Sequence, residues 1–125
     1  VFDLDLMDYV IFTGSRGDVH HIMQAMDVFV LPSLFEGLPV VSIEAQASGL
    51  PTLLSENVST EAQKTGLCKF LPINSASVWT AEILSYKNNF IRESVRDKII
   101  STGYDITNTT EYIEKFYLSI DRGEI

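Results

Sequence analysis

Val28-Phe29-Val30-Leu31-Pro32-Ser33-Leu34-Phe35-Glu36-Gly37-Leu38-Pro39-Val40-Val41-Ser42-Ile43-Glu44-Ala45-Gln46-Ala47-Ser48-Gly49-Leu50-Pro51 is the stretch on which the fold turns. Val28 to Leu31 is a short apolar run stopped by Pro32-Ser33, the pattern of a buried strand. Pro39 opens a helix predicted over Pro39–Ser48, because proline at the first helical position loses only an N–H that would have been unpaired. Gly49 stands where a left-handed residue ends a helix. Thr52-Leu53-Leu54 follows as the next strand. Strand, loop, helix and strand in that order make a parallel pair joined by a crossover.

The same alternation extends outward. Val10-Ile11-Phe12 runs into Thr13-Gly14-Ser15, and Leu67-Cys68-Lys69-Phe70-Leu71 stops at Pro72, so four strands are expected. Asp18 reads as the cap of a helix with Val19, Ile22, Met23 and Met26 on one face. Asn74 reads as the cap of a helix carrying Val78, Trp79, Ile83 and Leu84. Segments 91–102 and 106–120 complete the helices, the last with Ile113, Phe116, Tyr117 and Ile120 at helical spacing. The expected class is α/β, a Rossmann-like parallel sheet with helices on both faces. Doubly wound sheets usually have about five or six strands. Val1 to Asp8 also reads like the tail of a helix whose preceding strands are missing. Residues 1–125 are therefore expected to be the carboxyl-terminal part of a larger domain.

Composition narrows the function. The 125 residues are 46% hydrophobic, with 9 basic and 17 acidic side chains and a net charge of −8. That balance argues against nucleic acid and against an anionic membrane surface as partners. No apolar run reaches the ~20 residues of a membrane span. The single cysteine, Cys68, excludes an internal disulfide and points to a reducing, cytoplasmic setting.

Chemistry concentrates after the strand that ends at Leu31. Ligands of open parallel sheets bind beyond the carboxyl ends of strands. Leu38, as N-cap, has no side-chain acceptor, so the amides of Val40 and Val41 are left free at the positive end of the helix dipole. Such a helix start suits an anion, and phosphate above all. Glu36 precedes this point in the loop. Glu44 lies four residues after Val40, on the same face, with its side chain leaning back toward the helix start. A carboxylate there can accept hydrogen bonds from vicinal ribose hydroxyls. Diphosphate on the amides, ribose on Glu44 and sugar by Glu36 give the outline of a nucleotide diphosphate-sugar. On spacing alone, a solvated Glu36 and an ordinary helical Glu44 remain an open reading.

With those residues in place the chain resembles the carboxyl-terminal domain of group 1 (family four) retaining glycosyltransferases of the GT-B fold. The resemblance rests on Phe12-Thr13-Gly14-Ser15-Arg16, Asp18-Val19, Met26 to Ser33, Phe35-Glu36-Gly37-Leu38-Pro39, Glu44-Ala45 and Ser48-Gly49-Leu50-Pro51. It spans about residues 9 to 55 and includes two glutamates with seven residues between them. Enzymes of bacterial capsular and exopolysaccharide synthesis resemble it best.

The resemblance implies that Glu36 contacts donor-sugar hydroxyls as the catalytic-centre carboxylate. Gly37 and Leu38 would approach the sugar, and the Val40 and Val41 amides would hold the distal phosphate. Glu44 would bind ribose, and Gly14, Ser15 and Arg16 would lie against the nucleobase. It further implies retention, with the leaving phosphate deprotonating the acceptor, and no cofactor or bound metal. The implied partners are a nucleotide-sugar donor and a glycan or lipid-linked acceptor, the latter through an amino-terminal domain absent here. Residence would be cytoplasmic, peripheral at the inner membrane face. Many relatives carry phenylalanine-glycine where this chain has Leu38-Pro39, which removes one N–H from the sugar's surroundings. The chain alone is thus expected to bind donor weakly and to transfer nothing.

Other features read as structural. His20 and His21 are adjacent, so they point about 100° apart on a helix and share a metal poorly. Cys68 reads as a small core hydrophobe and Trp79 as a packing anchor. The aromatic face of the last helix, left open, favours self-association. Two alternatives compete: a nucleotide-sugar epimerase of the same fold, and a non-catalytic nucleotide-binding module. The paired glutamates around Gly37-Leu38-Pro39 distinguish the chain from the first. A receiver-like module needs an Asp at a strand's carboxyl end, whereas Asp27 precedes its strand.

Overall fold

The computed structural model describes residues 1–88 and 90–123. Its sheet is built around β2, Thr52–Ser55, in which all four residues are buried. β1 (Phe29–Leu31) and β3 (Cys68–Leu71) flank it in parallel, in the order β1-β2-β3. Phe29, Thr52 and Cys68 stand level across the sheet, as do Leu31, Leu54 and Phe70. Successive strand residues point to opposite faces, so these six share one face and Leu53 points to the other.

Helices cover both faces. On the first, Phe29 packs with Met23 of α1 (Val19–Ala25), Ala45 of α2 (Val40–Ala47) and Leu50. Beside it, Leu54 and Cys68 meet Val58 and Ala62. On the second face, Leu53 and Leu71 pack against Trp79 of α3 (Ala76–Ser85), with Val28 and Tyr86 at the margin. The Trp79 indole N–H donates to the Pro72 carbonyl at 3.0 Å, which lets a polar edge be buried without loss. The fold is therefore Rossmann-like α/β, and Trp79 and Cys68 are core residues.

α2 is stopped at its far end by backbone hydrogen bonds. Gly49 N–H donates to the Gln46 carbonyl at 2.8 Å and Leu50 N–H to the Ala45 carbonyl at 3.1 Å. That is a Schellman stop, with Leu50 packed near Ala45 as such stops favour. Gly49 has φ +73°, and a Cβ there would lie 2.9 Å from Arg92 Cγ and 3.0 Å from the Glu93 carbonyl. Only glycine meets both conditions.

The link from β2 to β3 contains a single 3-10 turn, Thr60–Ala62, instead of a crossover helix. Where such a connection is buried, as at Ala62 and Thr65, its backbone must find partners elsewhere. Gln46, fully buried on α2, supplies them. Its Nε2 donates to the carbonyls of Ser42 (3.0 Å) and Ala62 (2.7 Å). Its Oε1 accepts from Lys64 N–H (3.0 Å), Thr65 N–H (3.2 Å) and the Thr65 hydroxyl (3.1 Å).

Several boundaries differ from expectation. Val10–Phe12 is not a strand: Ile11 is 88% and Phe12 73% exposed, and three strands, not four, are found among the described residues. A strand exists by pairing, and this run stays off the free edge of β1. Val1–Asp8 is not a helix tail but holds 3-10 turns, Phe2–Leu4 and Met7–Tyr9. Asp18 occupies the N-cap of α1 without capping it, because its carboxylate is engaged by Arg16. On α1 only Met23 is fully buried, and Met26 lies beyond the helix. Ser75, not Asn74, is the N-cap of α3.

The segment 91–102 is helical only over α4, Arg96–Ser101. Tertiary contacts override propensity before it. The Arg92 guanidinium donates to the Gln24 carbonyl (2.7 Å) and the Met26 carbonyl at the end of α1. Val95 enters a cluster with Ile43 and Ile99. α5, Ile106–Asp121, is amphipathic as expected, yet none of its residues is buried. Its apolar face, on which self-association is expected, stands open.

Two consequences are measurable. Gln46→Leu strands the Thr65 and Lys64 amides and the Ala62 carbonyl, and should lower unfolding free energy by about 3 kcal/mol or more in urea titration. Burial pushes the Cys68 thiol from 9.0 up to about 11. Folding then holds the thiol protonated, so that contribution to stability is complete below pH 9 and is lost between pH 9 and 11. Urea midpoints should fall over that window, and Cys68→Ala should fall less.

Candidate functional site

The loop after β1 reaches the start of α2 through Pro32 to Pro39. Burial anchors it only at its end, where Pro39 is buried, since Leu34 and Phe35 are 80% and 81% exposed and Leu38 is also exposed. Hydrogen bonds hold it instead. Leu31 stands level with Leu54, which sets Ser55, the next residue of β2, beside the outgoing loop. The Ser55 hydroxyl donates to the Ser33 carbonyl at 2.6 Å and accepts from Asn57 N–H at 3.1 Å. The Ser33 hydroxyl donates to Glu36 Oε1 at 3.1 Å. Glu36 also forms an isolated parallel bridge with Val58, which is buried in the core beside Leu54. Glu36 itself is half-buried at the mouth of the loop.

α2 begins one residue later than expected. Pro39, with φ −72° and ψ 102°, is the N-cap, and Leu38 precedes it. The shift preserves the consequence, because proline has no side-chain acceptor either, and no side chain caps this end. The Pro39 carbonyl accepts from Ser42 N–H at 2.9 Å and from the Ser42 hydroxyl at 2.7 Å. The amides of Val40 and Val41, the first two of the helix, have no partner among the described residues. Val40 is 59% exposed, so this end is open to a ligand. A helix of eight residues aims its positive end there. Glu44 is exposed one turn along and has no side-chain partner among the described residues. A Cβ placed on Gly37 would meet no atom within 4 Å, so neither packing nor a left-handed backbone requires glycine there.

Gly14, Ser15 and Arg16 lie in an exposed loop before α1, with Gly14 at φ +65°. Arg16 grips Asp18 through two bonds of 2.8 and 2.7 Å. That grip holds the Asp18 carboxyl below, and the Arg16 guanidinium above, the ordinary range. Both groups are exposed, so the pair orders the loop more than it stabilises the fold.

Three surface concavities of about 750, 340 and 230 Å³ lie elsewhere. They are lined chiefly by Val28, Ile83 and Tyr86, by Val30 and Trp79, and by Leu67 and Val95. None of the three includes Glu36, Val40, Val41 or Glu44. Among the described residues no group of three or more His, Cys, Asp or Glu could hold a metal ion, and His20 and His21 are exposed. No helix among them is long and apolar enough to cross a membrane.

Ser33, Ser55, Gln46 and Arg92 escaped the reading of the sequence. Two carried a signal: Ser55 is a polar residue closing the buried run Thr52-Leu53-Leu54, and Gln46 falls on the buried side of an otherwise apolar helix.

Comparison with known proteins follows the same residues. A family model described as Glycosyl transferases group 1 matches residues 2–89. A protein of Bacillus subtilis (strain 168) named as a glycosyltransferase, EpsF, is 38% identical over 105 residues, 81% of this chain and 27% of the relative. The UDP-Gal:alpha-D-GlcNAc-diphosphoundecaprenol alpha-1,3-galactosyltransferase of Escherichia coli is 31% identical over 124 residues, 94% of this chain and 32% of the relative. The chain thus spans about a third or less of the length of these two relatives. No solved structure matches it significantly. The match over residues 2–89 takes in the loop after β1, the uncapped start of α2 and both glutamates, and on it the chain belongs to the group 1 glycosyl transferases.

Proposed function

We propose that this chain supplies the donor-binding part of a glycosyltransferase that moves a sugar, with retention, from a nucleotide diphosphate-sugar to a glycan or lipid-linked acceptor. The observation that carries it is the open start of α2, with two unpartnered amides between Glu36 and Glu44. Val40 and Val41 amides hold the distal phosphate, where the helix dipole favours negative charge as the donor bond breaks. Glu44 accepts from the ribose hydroxyls. Glu36 accepts from donor-sugar hydroxyls and sets the anomeric carbon in line with the acceptor. Gly37 and Leu38 border the sugar, and the room beside Gly37 leaves space for it. Gly14, Ser15 and Arg16 meet the nucleobase. The leaving phosphate takes the acceptor's proton on the face it departs from. In this reading the charge of the diphosphate is met by amides and basic groups, without a bound metal or cofactor.

The setting in this reading is bacterial surface polysaccharide synthesis. The name of the Escherichia coli relative includes a diphosphoundecaprenol acceptor. An acceptor of that kind would keep the whole enzyme at the cytoplasmic face of the membrane, peripherally bound. The acceptor would reach this site through the part of the enzyme outside these residues.

A panel of UDP-glucose, UDP-galactose, GDP-mannose and ADP-glucose, with the parent diphosphates, tests the reading by calorimetry on the full-length protein. At least one should bind, with its diphosphate contributing most of the affinity; no binding across the panel removes the proposal. Val40→Pro is the sharper probe. Pro39 is already extended, as a residue before proline must be, and proline suits a first helical position. The variant should melt within about 2 °C of wild type yet bind diphosphate about tenfold more weakly, the order of one hydrogen bond to a charged group. Glu36→Ala should lower turnover by about two orders of magnitude or more, with diphosphate affinity retained. Turnover within twofold of wild type would take Glu36 out of the site.

A further inference from the structure

Ser33 and Ser55 have no part in the proposed contacts with the donor, yet they join the two loops that frame Glu36. A serine hydroxyl has one proton to give. That of Ser55 goes to the Ser33 carbonyl at 2.6 Å, while its oxygen accepts from Asn57 N–H at 3.1 Å. That of Ser33 goes to Glu36 Oε1 at 3.1 Å. Short of the buried Pro39 the loop has little else to fix it, because Leu34 and Phe35 are 80% and 81% exposed. Glu36 pairs with Val58 through its backbone, and Val58 is 3% exposed in the core.

We propose that Ser33 and Ser55 are positioning residues, a two-hydroxyl relay from the end of β2 that fixes Glu36 by Oε1 and presents Oε2 to the donor sugar. The inference rests on the reading of Glu36 as the donor-sugar contact. The order of bonds gives each serine a distinct duty. Ser55 sets the height of the loop backbone, since its partner is a carbonyl. Ser33 sets the side-chain rotamer, since its partner is the carboxylate itself. A long carboxylate side chain held at one oxygen loses less freedom when the substrate binds the other.

The relay predicts a split between parts of the donor. In the full-length protein, Ser33→Ala should lower kcat for the panel sugar nucleotide that binds wild type most tightly by about tenfold, the order of one hydrogen bond to a carboxylate. Its affinity for the parent diphosphate should stay within twofold. Ser33→Thr, which keeps the hydroxyl, should restore at least half of the loss. In a Glu36→Gln background Ser33→Ala should change kcat by less than twofold, because the carboxylate it serves is gone. Ser55→Ala should lower kcat in the same direction, and if it does not fold, the Ser33 pair carries the test alone. An equal loss of diphosphate and sugar-nucleotide binding, or an undiminished Ser33→Ala effect in the Glu36→Gln background, overturns the relay while leaving the proposed function standing. A wild-type protein that binds none of the panel overturns both.

Discussion

The side-chain amide of Gln46 is the contact on which the rest of the molecule depends. It is fully buried and makes five hydrogen bonds, all within the protein. A parallel crossover normally satisfies its backbone within a helix. Here the link to β3 holds one 3-10 turn, and the missing intrasegment bonds are made to a single amide on α2. α2 therefore cannot rotate or slide without unpairing the link between β2 and β3. Together with the Schellman stop at Gly49 and the Arg92 side chain packed over it, this fixes the helix axis from its far end. The open end of the helix is aimed by contacts made about two turns away, at its other end.

The loop ahead of α2 is fixed by different means. Ahead of the buried Pro39 its apolar side chains face solvent, so the hydrophobic effect contributes little to the position of that part, and short polar bonds take over. Ser55, at the last position of the most buried strand, is the transmitter. The arrangement lets one rigid element, β2, define the place of Glu36 through Ser33 and Val58, while α2 separately defines Val40, Val41 and Glu44. The loop and the helix that follows it are thus fixed independently, each by a different part of the fold.

Much of this was legible in the sequence. The strands around Phe29, Leu53 and Phe70, the helix after Pro39 and its end at Gly49 follow from short apolar runs and from proline and glycine placement. Failures share one cause. Val10–Phe12 has strand composition, yet a strand is a property of pairs, and no local pattern says whether the partner is at hand. Residues 91–95 have helical spacing, yet Arg92 and Val95 are drawn to Gln24 and Ile43, far away in sequence. Asp18 looks like a cap, yet Arg16 two residues earlier offers a charged partner that outcompetes neutral amides. The unpaired amides of Val40 and Val41 were legible because they depend only on what Leu38 and Pro39 lack. The serine relay was not, because Ser33 and Ser55 are 22 residues apart and meet only once the sheet has formed.

The start of α2 shows a choice between stability and use. A serine or aspartate in place of Pro39 would cap the helix and add about 1 kcal/mol, while covering the amides it satisfied. The chain forgoes that gain where the helix opens to solvent. It satisfies buried polar groups with care elsewhere, and no buried side-chain nitrogen or oxygen lacks a partner among the described residues. The starts of α1, α3 and α4 also lack a side-chain cap, and what sets the start of α2 apart is its place in the chain, with a glutamate on either side of the open amides. The acidic balance of the chain sharpens the point. With a net charge of −8, the molecule repels anions in general. An anion that binds must be drawn by a short-range, directional feature, and two aligned N–H groups at a dipole's positive end are that kind of feature.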